Sequence, residues 1–317
     1  MAVPSKTLPV AHETALELVR PPAFTIPDRL RSYVNLAKPH VTMLLLAVTV
    51  TTMIMAARGW PSLGLIVATL SGGVLAAASA NAINCYVDRD IDGIMGRTQR
   101  RAVPSGRVEP IHALWFGLGC GVVSMAIFLS FVNALSALLA LSGILFYVLV
   151  YTMWLKRTTP QNIVIGGAAG GVPALVGWAA VTHTLAWPAV ALFAIIFFWT
   201  PPHFWALSLL IKKDYERANI PMLPVVRGEA ETHRQIFWYT LVLLGVSLLL
   251  LINHTSGWIY LAAAVGLGAP LLVLAVKLYR STPATPAAAH IANQLFWYSN
   301  SYLALLFVAI ALDRIVR

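Results

Sequence analysis

The sequence predicts an all-α fold, a polytopic membrane bundle of nine transmembrane helices with its N-terminus in the cytoplasm. Three observations carry that expectation. Of 317 residues, 59% are hydrophobic and 11% charged, and mean hydropathy is +0.76, a composition foreign to soluble domains. Nine apolar segments, most of bilayer-crossing length, follow one another along the chain. The Lys and Arg residues gather in alternate connections between them. A net charge of +10 raises nucleic acid as a partner, but the basic residues sit in short loops and form no continuous patch. The lipid bilayer is the expected partner, and nucleic acid is not.

Residues 1–38 read as a polar cytoplasmic N-terminal tail and residues 39–317 as a single nine-helix transmembrane domain. The first 40 residues contain Glu13, Glu17 and Asp28 and lack the basic-then-apolar order of a secretory signal. They also lack the acid-poor, Arg-rich character of a mitochondrial presequence, which makes a bacterial inner membrane the simpler location. DRLRSYVNLAK at 28–38 suits a helix along the membrane interface with Leu30, Val34 and Ala37 inward, or a short connector. Spans then fall at 41–57, 62–83, 111–131, 134–154, 162–181, 186–210, 235–253, 258–276 and 294–312. With the N-terminus inside, nineteen of the 22 Lys and Arg residues lie on the cytoplasmic side, against Arg58, Arg314 and Arg317 outside. Every long, chemically rich connection falls on that same side.

The connection after the second span, NAINCYVDRDIDGIMGRTQRRAVPSGR at 81–107, is the first such stretch. At 100° per residue, Asn81, Asn84, Cys85, Asp88 and Asp92 share one helical face where the helix should emerge into water, while Asp90 points away. Carboxylates beside amide oxygens suit a hard cation such as Mg²⁺, which reaches substrate phosphates through one or two carboxylates. Arg97, Arg100, Arg101 and Arg107 follow, and guanidinium groups neutralise phosphate oxygens. The alternatives are a solvated charged loop, and for Asn84 a hydrogen bond to a neighbouring helix.

A second polar stretch, KKDYERANIPMLPVVRGEAETHR at 212–234, joins the sixth and seventh spans. Asp214 and Glu216 supply oxygens, Lys212, Lys213 and Arg217 supply cations, and Pro221 and Pro224 interrupt helix. Carboxylates from two directions are what a two-metal diphosphate site needs, although the loop also reads as an ordinary charge run. Between the two lies FFWTPPHFWALSLL at 197–210, where consecutive prolines are expected to break the backbone ladder. His203, flanked by Trp199, Phe204 and Trp205, suits either a kinked helix in an aromatic belt or the wall of a large flat ligand with His203 as iron ligand. Gly166, Gly167, Gly170 and Gly171 fit close helix packing, and the unpaired Cys85 and Cys120 read as packing residues.

Asn84-x3-Asp88-x3-Asp92 resembles the first aspartate-rich motif of the intramembrane UbiA-type prenyltransferases, whose nine-helix plan and second acidic loop the sequence also follows. LAKPHVT at 36–42, the run 84–107, WTPPHFWALSL at 199–209 and DYERANIPMLPVV at 214–226 resemble the haem-modifying branch of that family, over about residues 30–312. The resemblance implies farnesyl diphosphate and haem b as substrates, with water consumed and haem O and diphosphate released, in cytochrome oxidase cofactor assembly. It implies Mg²⁺ held by Asp88, Asp92 and Asp214 with Asn84 assisting, these four forming the catalytic set. Asn81, Arg97, Arg101, Lys156 and Lys212 are the candidates for binding the donor, and Trp199 and His203 for the haem side. One departure concerns the second motif, often DxxxD in the family: Asp214 is followed four residues on by Ala218, leaving either Glu216 as a substitute carboxylate or one ion with fewer protein ligands. An aromatic, quinone-precursor prenyltransferase and a non-catalytic haem or lipid transporter are the rival readings. TPPHFW and the single-Asp second loop oppose the first, and spans free of internal charge oppose the second. Docking to haem A synthase or to cytochrome oxidase assembly is a further partner expectation.

Overall fold

A computed structural model describes residues 26–316, so most of the expected 1–38 tail lies outside the described residues. Among them the all-helical expectation holds, with no strand and nine helices long and apolar enough to cross a membrane. A short helix α1 (Ile26–Leu36) precedes the spans α2 (Pro39–Ala57), α3 (Leu63–Val87), α4 (Pro110–Phe131) and α5 (Ala134–Thr158). They are followed by α6 (Asn162–Thr182), α7 (Trp187–Leu210), α8 (Gly228–Ile252), α9 (Trp258–Arg280) and α10 (Pro286–Val316).

Several spans run past their apolar cores. α3 continues to Val87, α8 begins at Gly228 rather than 235, and α10 covers 286–316 rather than 294–312. Hydropathy ends where side chains turn polar, whereas the backbone ladder goes on as long as its own hydrogen bonds are satisfied. A helix, α1, does form before the first span, but its buried face differs from the expected one. Ser32 and Leu36 are buried, while Leu30 and Val34 are exposed. Leu36 sits against Ala82, Cys85, Ala102, Val103 and Ala113, so α1 rests on the first polar connection and turns Leu30 and Val34 outward.

Consecutive spans pack side by side from α2 round to α10, and α10 closes on α2. α2 also packs on α6 and α7 on α10, which makes α7 the most buried span. The prolines at 201 and 202 do not break it: α7 is helical throughout, losing only two N–H donors in a segment walled by neighbours. One apolar cluster fills the middle, with Leu192, Ile195, Leu243, Tyr260, Leu271 and Leu306 at its centre. A second lies beneath the polar connections. There Ile91 and Met95 of the first and Tyr215, Ile220 and Met222 of the second pack together against Trp205, which draws the two loops to one place.

Exposed tryptophans lie toward both ends of the spans, Trp60, Trp187 and Trp258 at one end and Trp115, Trp154, Trp238 and Trp297 in the half nearer the other, as an aromatic belt would have them. At the end away from the polar loops, Asp313 of α10 accepts from the backbone N–H of Gly257 (2.6 Å) and Tyr260 (3.3 Å), satisfying donors at the start of α9. Gly167 and Gly171 face Thr200 and Phe193 of α7, where a Cβ would have no ordinary clearance, as expected of the glycines in this span.

Candidate functional site

The helical register of α3 carries straight into the first motif. Asp88 N–H donates to Asn84 C=O (2.9 Å), and Asp92 N–H to Asp88 C=O (2.8 Å) through the turn Arg89–Asp92. Asn84, Asp88 and Asp92 therefore share a face, but not at a water boundary: Asp88 is 0% and Asp92 1% exposed. Burial of a carboxylate demands partners, and each has them. Asp88 accepts from Lys156 Nζ (2.5 Å), Asn84 Nδ2 (2.6 Å) and more distantly Arg157 (3.4 Å). Asp92 accepts from Arg101 Nη1 at both oxygens (3.0 and 2.8 Å). Burial alone would lower the Arg101 pKa, and the Asp92 carboxylate more than offsets it, so the pKa is raised.

Lys156 and Arg157 reach this place because α5 is π-helical over Phe146–Leu155. The wider turn puts Thr152 Oγ1 on Tyr147 C=O, five residues back (2.8 Å), and against Asn84 Nδ2 (3.2 Å), one turn before the two cations. Arg157 bridges outward to Asp90 with two bonds (2.7 and 2.8 Å), and that hydrogen bonding holds the Asp90 carboxyl at about 2. Asp90, on the opposite side of the helix from the motif, thus anchors the rim.

The second connection meets the first at Asp214. Its carboxylate accepts from Arg97 N–H (3.4 Å) and Arg217 Nη2 (3.1 Å) and lies against Gly96, where a Cβ would sit 3.6 Å from Oδ1. Tyr215 is buried beneath, its phenol pKa raised by burial with Arg97 and Arg101 opposing. Lys212 does not join: it pairs with Glu229 at the start of α8 (3.2 Å) and with Glu216 one turn along its own connection (3.7 Å). Glu216, the expected substitute carboxylate, is held in that pairing and is not part of the Asp214 group.

Two amides behave differently from expectation. Asn81 Nδ2 donates to Ala37 C=O (3.2 Å), pinning the α1–α2 corner rather than facing the carboxylates. Asn84 turns its nitrogen to Asp88 and its oxygen to Lys38 Nζ (2.9 Å), so the oxygen expected to assist a metal is engaged by an ammonium. Lys38, whose pKa burial holds below the usual lysine value, and Arg157 are the members of this cluster that the sequence reading missed. The signals were a Lys immediately before the helix-starting Pro39, and a second basic residue beside Lys156.

Trp199 and His203 form a separate cluster between α7 and α10. The imidazole is stacked between Trp199 (4.3 Å, 17°) and Phe296 (4.7 Å, 23°), with Phe204 edge-on. Nδ1 is paired with Ser299 Oγ (2.8 Å), and Trp199 Nε1 donates to Ser299 C=O (2.7 Å). Both ring faces are covered, leaving only an edge of His203 to meet a ligand.

For Mg²⁺ the donor chemistry fits: Asp88, Asp92 and Asp214 offer hard oxygens only, beside cations that phosphate oxygens could share. Among the described residues no three acidic, His or Cys side chains converge on one point, so phosphate and water oxygens would complete the coordination.

Residues 44–300 match the sequence profile of the UbiA prenyltransferase family. The chain belongs to this family. It is 54% identical over 286 residues to the Protoheme IX farnesyltransferase of Gloeobacter violaceus, covering 90% of this chain and 92% of that one. The Protoheme IX farnesyltransferase of Synechocystis sp. is 52% identical, over 89% of each chain. A Roseiflexus sp. relative of the same name is 52% identical over 92% of this chain, which spans 53% of that longer protein. Among solved structures, Digeranylgeranylglyceryl phosphate synthase superposes with a TM-score of 0.75 at 17% identity, covering 92% of this chain and 100% of that one. An Archaeoglobus fulgidus UbiA homologue bound to DMAPP and Mg²⁺ gives 0.63 at 15% identity, covering 88% and 99%. At such identities the superpositions establish the fold shared with this UbiA member and nothing of its chemistry.

Proposed function

We propose that this UbiA-family protein transfers the farnesyl group of farnesyl diphosphate to a vinyl group of haem b, with addition of water, giving haem O and diphosphate. The observation that carries the reading is the meeting of the two acidic connections on one side of the bundle, where Asp88 and Asp92 are paired with Lys156, Arg157 and Arg101 and Asp214 lies against Gly96 and Arg97 of the first. An allylic diphosphate ionises when its leaving group is neutralised, and preorganised charge does this without reorganising water. Half-identical relatives named for farnesyl transfer to protohaem support the choice of donor and acceptor.

Asp88, Asp92 and Asp214 would hold Mg²⁺, which supplies charge neutralisation for the departing diphosphate. Lys156 and Arg101 exchange part of their carboxylate pairing for phosphate oxygens, and Arg97 is brought in beside Asp214, which its backbone N–H meets. The farnesyl chain lies among the apolar spans below, where low dielectric strengthens each charge contact. Trp199 and the edge of His203 are the haem side of this reading. Nineteen basic residues on the loop-rich side support a site facing the cytoplasm in a bacterial inner membrane.

The test is purified protein in detergent with haem b, farnesyl diphosphate and Mg²⁺, analysed by mass spectrometry with and without chelator. The expected product is heavier than haem b by one farnesyl and one hydroxyl group and disappears on chelation. Prenylation of a small phenolic acid in place of haem would move the chain to the quinone branch. Absence of any released diphosphate would end the enzyme reading.

A further inference from the structure

We propose that the seam between α8 and α9, at the end of the bundle that carries the acidic loops, binds the headgroup of an anionic phospholipid, with Lys277 and Arg280 as its cations. Val273, Lys277 and Arg280 stand at i, i+4 and i+7 on α9 and are all exposed, so they form one column on the outer face of that span. On α8, Arg234, Trp238 and Val242 form a second column of exposed side chains. The two spans pack side by side. Tyr279 is stacked on Phe237 (5.1 Å, 19°), which Trp238 meets edge-on (5.3 Å, 63°), so aromatic rings fill the seam between the columns. Each column thus runs from apolar side chains to a basic end.

Depth and charge point the same way. Lys277 lies 19 residues beyond the exposed Trp258 that begins α9, or about 28 Å at 1.5 Å per residue, close to a hydrocarbon thickness of about 30 Å. With Trp258 at one boundary, Lys277 and Arg280 reach the other, where headgroup phosphates lie. Among the described residues neither cation has an ion-pair partner. No acidic residue occurs in α9 or in 281–285, and the carboxylates at the start of α8 are engaged elsewhere. Glu229 accepts from Lys212 (3.2 Å) and the Ala284 N–H (2.8 Å), and Glu231 from Arg234 (2.8 Å) and Gln235 (2.7 Å). A guanidinium matches phosphate oxygens in two places at once, and the lysine stem covers apolar surface while its ammonium reaches the headgroup. A zwitterionic headgroup brings a cation of its own to this basic seam, which favours a lipid of net negative charge.

The experiment titrates the full chain in detergent with dioleoyl phosphatidylglycerol or dioleoyl phosphatidylcholine and reads the bound lipid by native mass spectrometry. The acyl chains are identical, so a preference reports the headgroup. The parent is expected to bind phosphatidylglycerol about 10- to 30-fold more tightly, and the Lys277→Gln, Arg280→Gln double variant to lose most of that preference. Exchanging the two cations, Lys277→Arg with Arg280→Lys, keeps it. Arg58→Gln with Arg227→Gln removes the same charge from exposed positions elsewhere and is expected to leave the preference in place. A parent that does not distinguish the two lipids overturns the proposal without reference to any variant's folding. So does an equal loss in the Arg58 and Arg227 variant, which would reduce the effect to overall charge. Glycerol 3-phosphate carries the phosphate without acyl chains, and its displacing the lipid at equal concentration would assign the seam to a soluble phosphate and overturn the lipid assignment.

Discussion

Asp88 and Asp92 carry the same charge one helical turn apart, yet their neighbours give them different structural weight. Lys156, which holds Asp88, has a side chain only 12% exposed, whereas Arg101, which holds Asp92, is 28% exposed and can turn to water. Asp88→Asn should therefore cost about 3 kcal/mol by leaving a buried ammonium without its counter-charge. Asp92→Asn should cost about 1 kcal/mol, and both should lose turnover. Thermal unfolding in detergent beside the haem product assay checks this, and equal losses of stability would contradict the burial argument. That the motif shares one face was readable from rotation along α3. Its burial was not, because the partners that permit it lie 46 residues away at Lys38 and 68 at Thr152 and Lys156. Local periodicity carries no information over such separations.

At the scale of the element, helices approach one another where side chains are missing. Gly177 of α6 faces the backbone of α2, and a Cβ there would lie 2.5 Å from Thr49 C=O, an atom that cannot rotate aside. Gly177→Ala should destabilise the bundle by about 1–3 kcal/mol by prying α6 from α2. Gly245→Ala, whose Cβ meets nothing within 4 Å, should be neutral or stabilising by up to about 1 kcal/mol. A melting-temperature comparison of the two variants decides, and similar behaviour would remove close approach as the reason for Gly177. Span number and order were legible because an uncharged apolar run of bilayer length suits little besides a membrane crossing. The π-helical stretch of α5 was not, since FYVLVYTMWL reads as an ordinary span and the extra residue per turn is dictated by what Thr152 and Lys156 must reach.

At the scale of the whole molecule, nine crossings place the starts of α2, α4, α6, α8 and α10 at one end with both acidic loops. The proposed topology, which follows the positive-inside rule, puts that end in the cytoplasm. Cys85 and Cys120 are both buried, so a new surface cysteine can be read against a silent background. In intact cells a membrane-impermeant maleimide should label Ser62→Cys, while Ser105→Cys should react only after lysis. The reverse pattern would invert the bundle and move both acidic loops to the other compartment. The helices also differ in height. α10 has 31 residues and its neighbour α2 has 19, or about 46 Å against about 28 Å at 1.5 Å per residue. A hydrocarbon layer of about 30 Å matches the shorter and not the longer, which must tilt or project. Adjoining walls of unequal height give the bundle a preferred lipid thickness, so acyl-chain length becomes a variable of its stability alongside temperature.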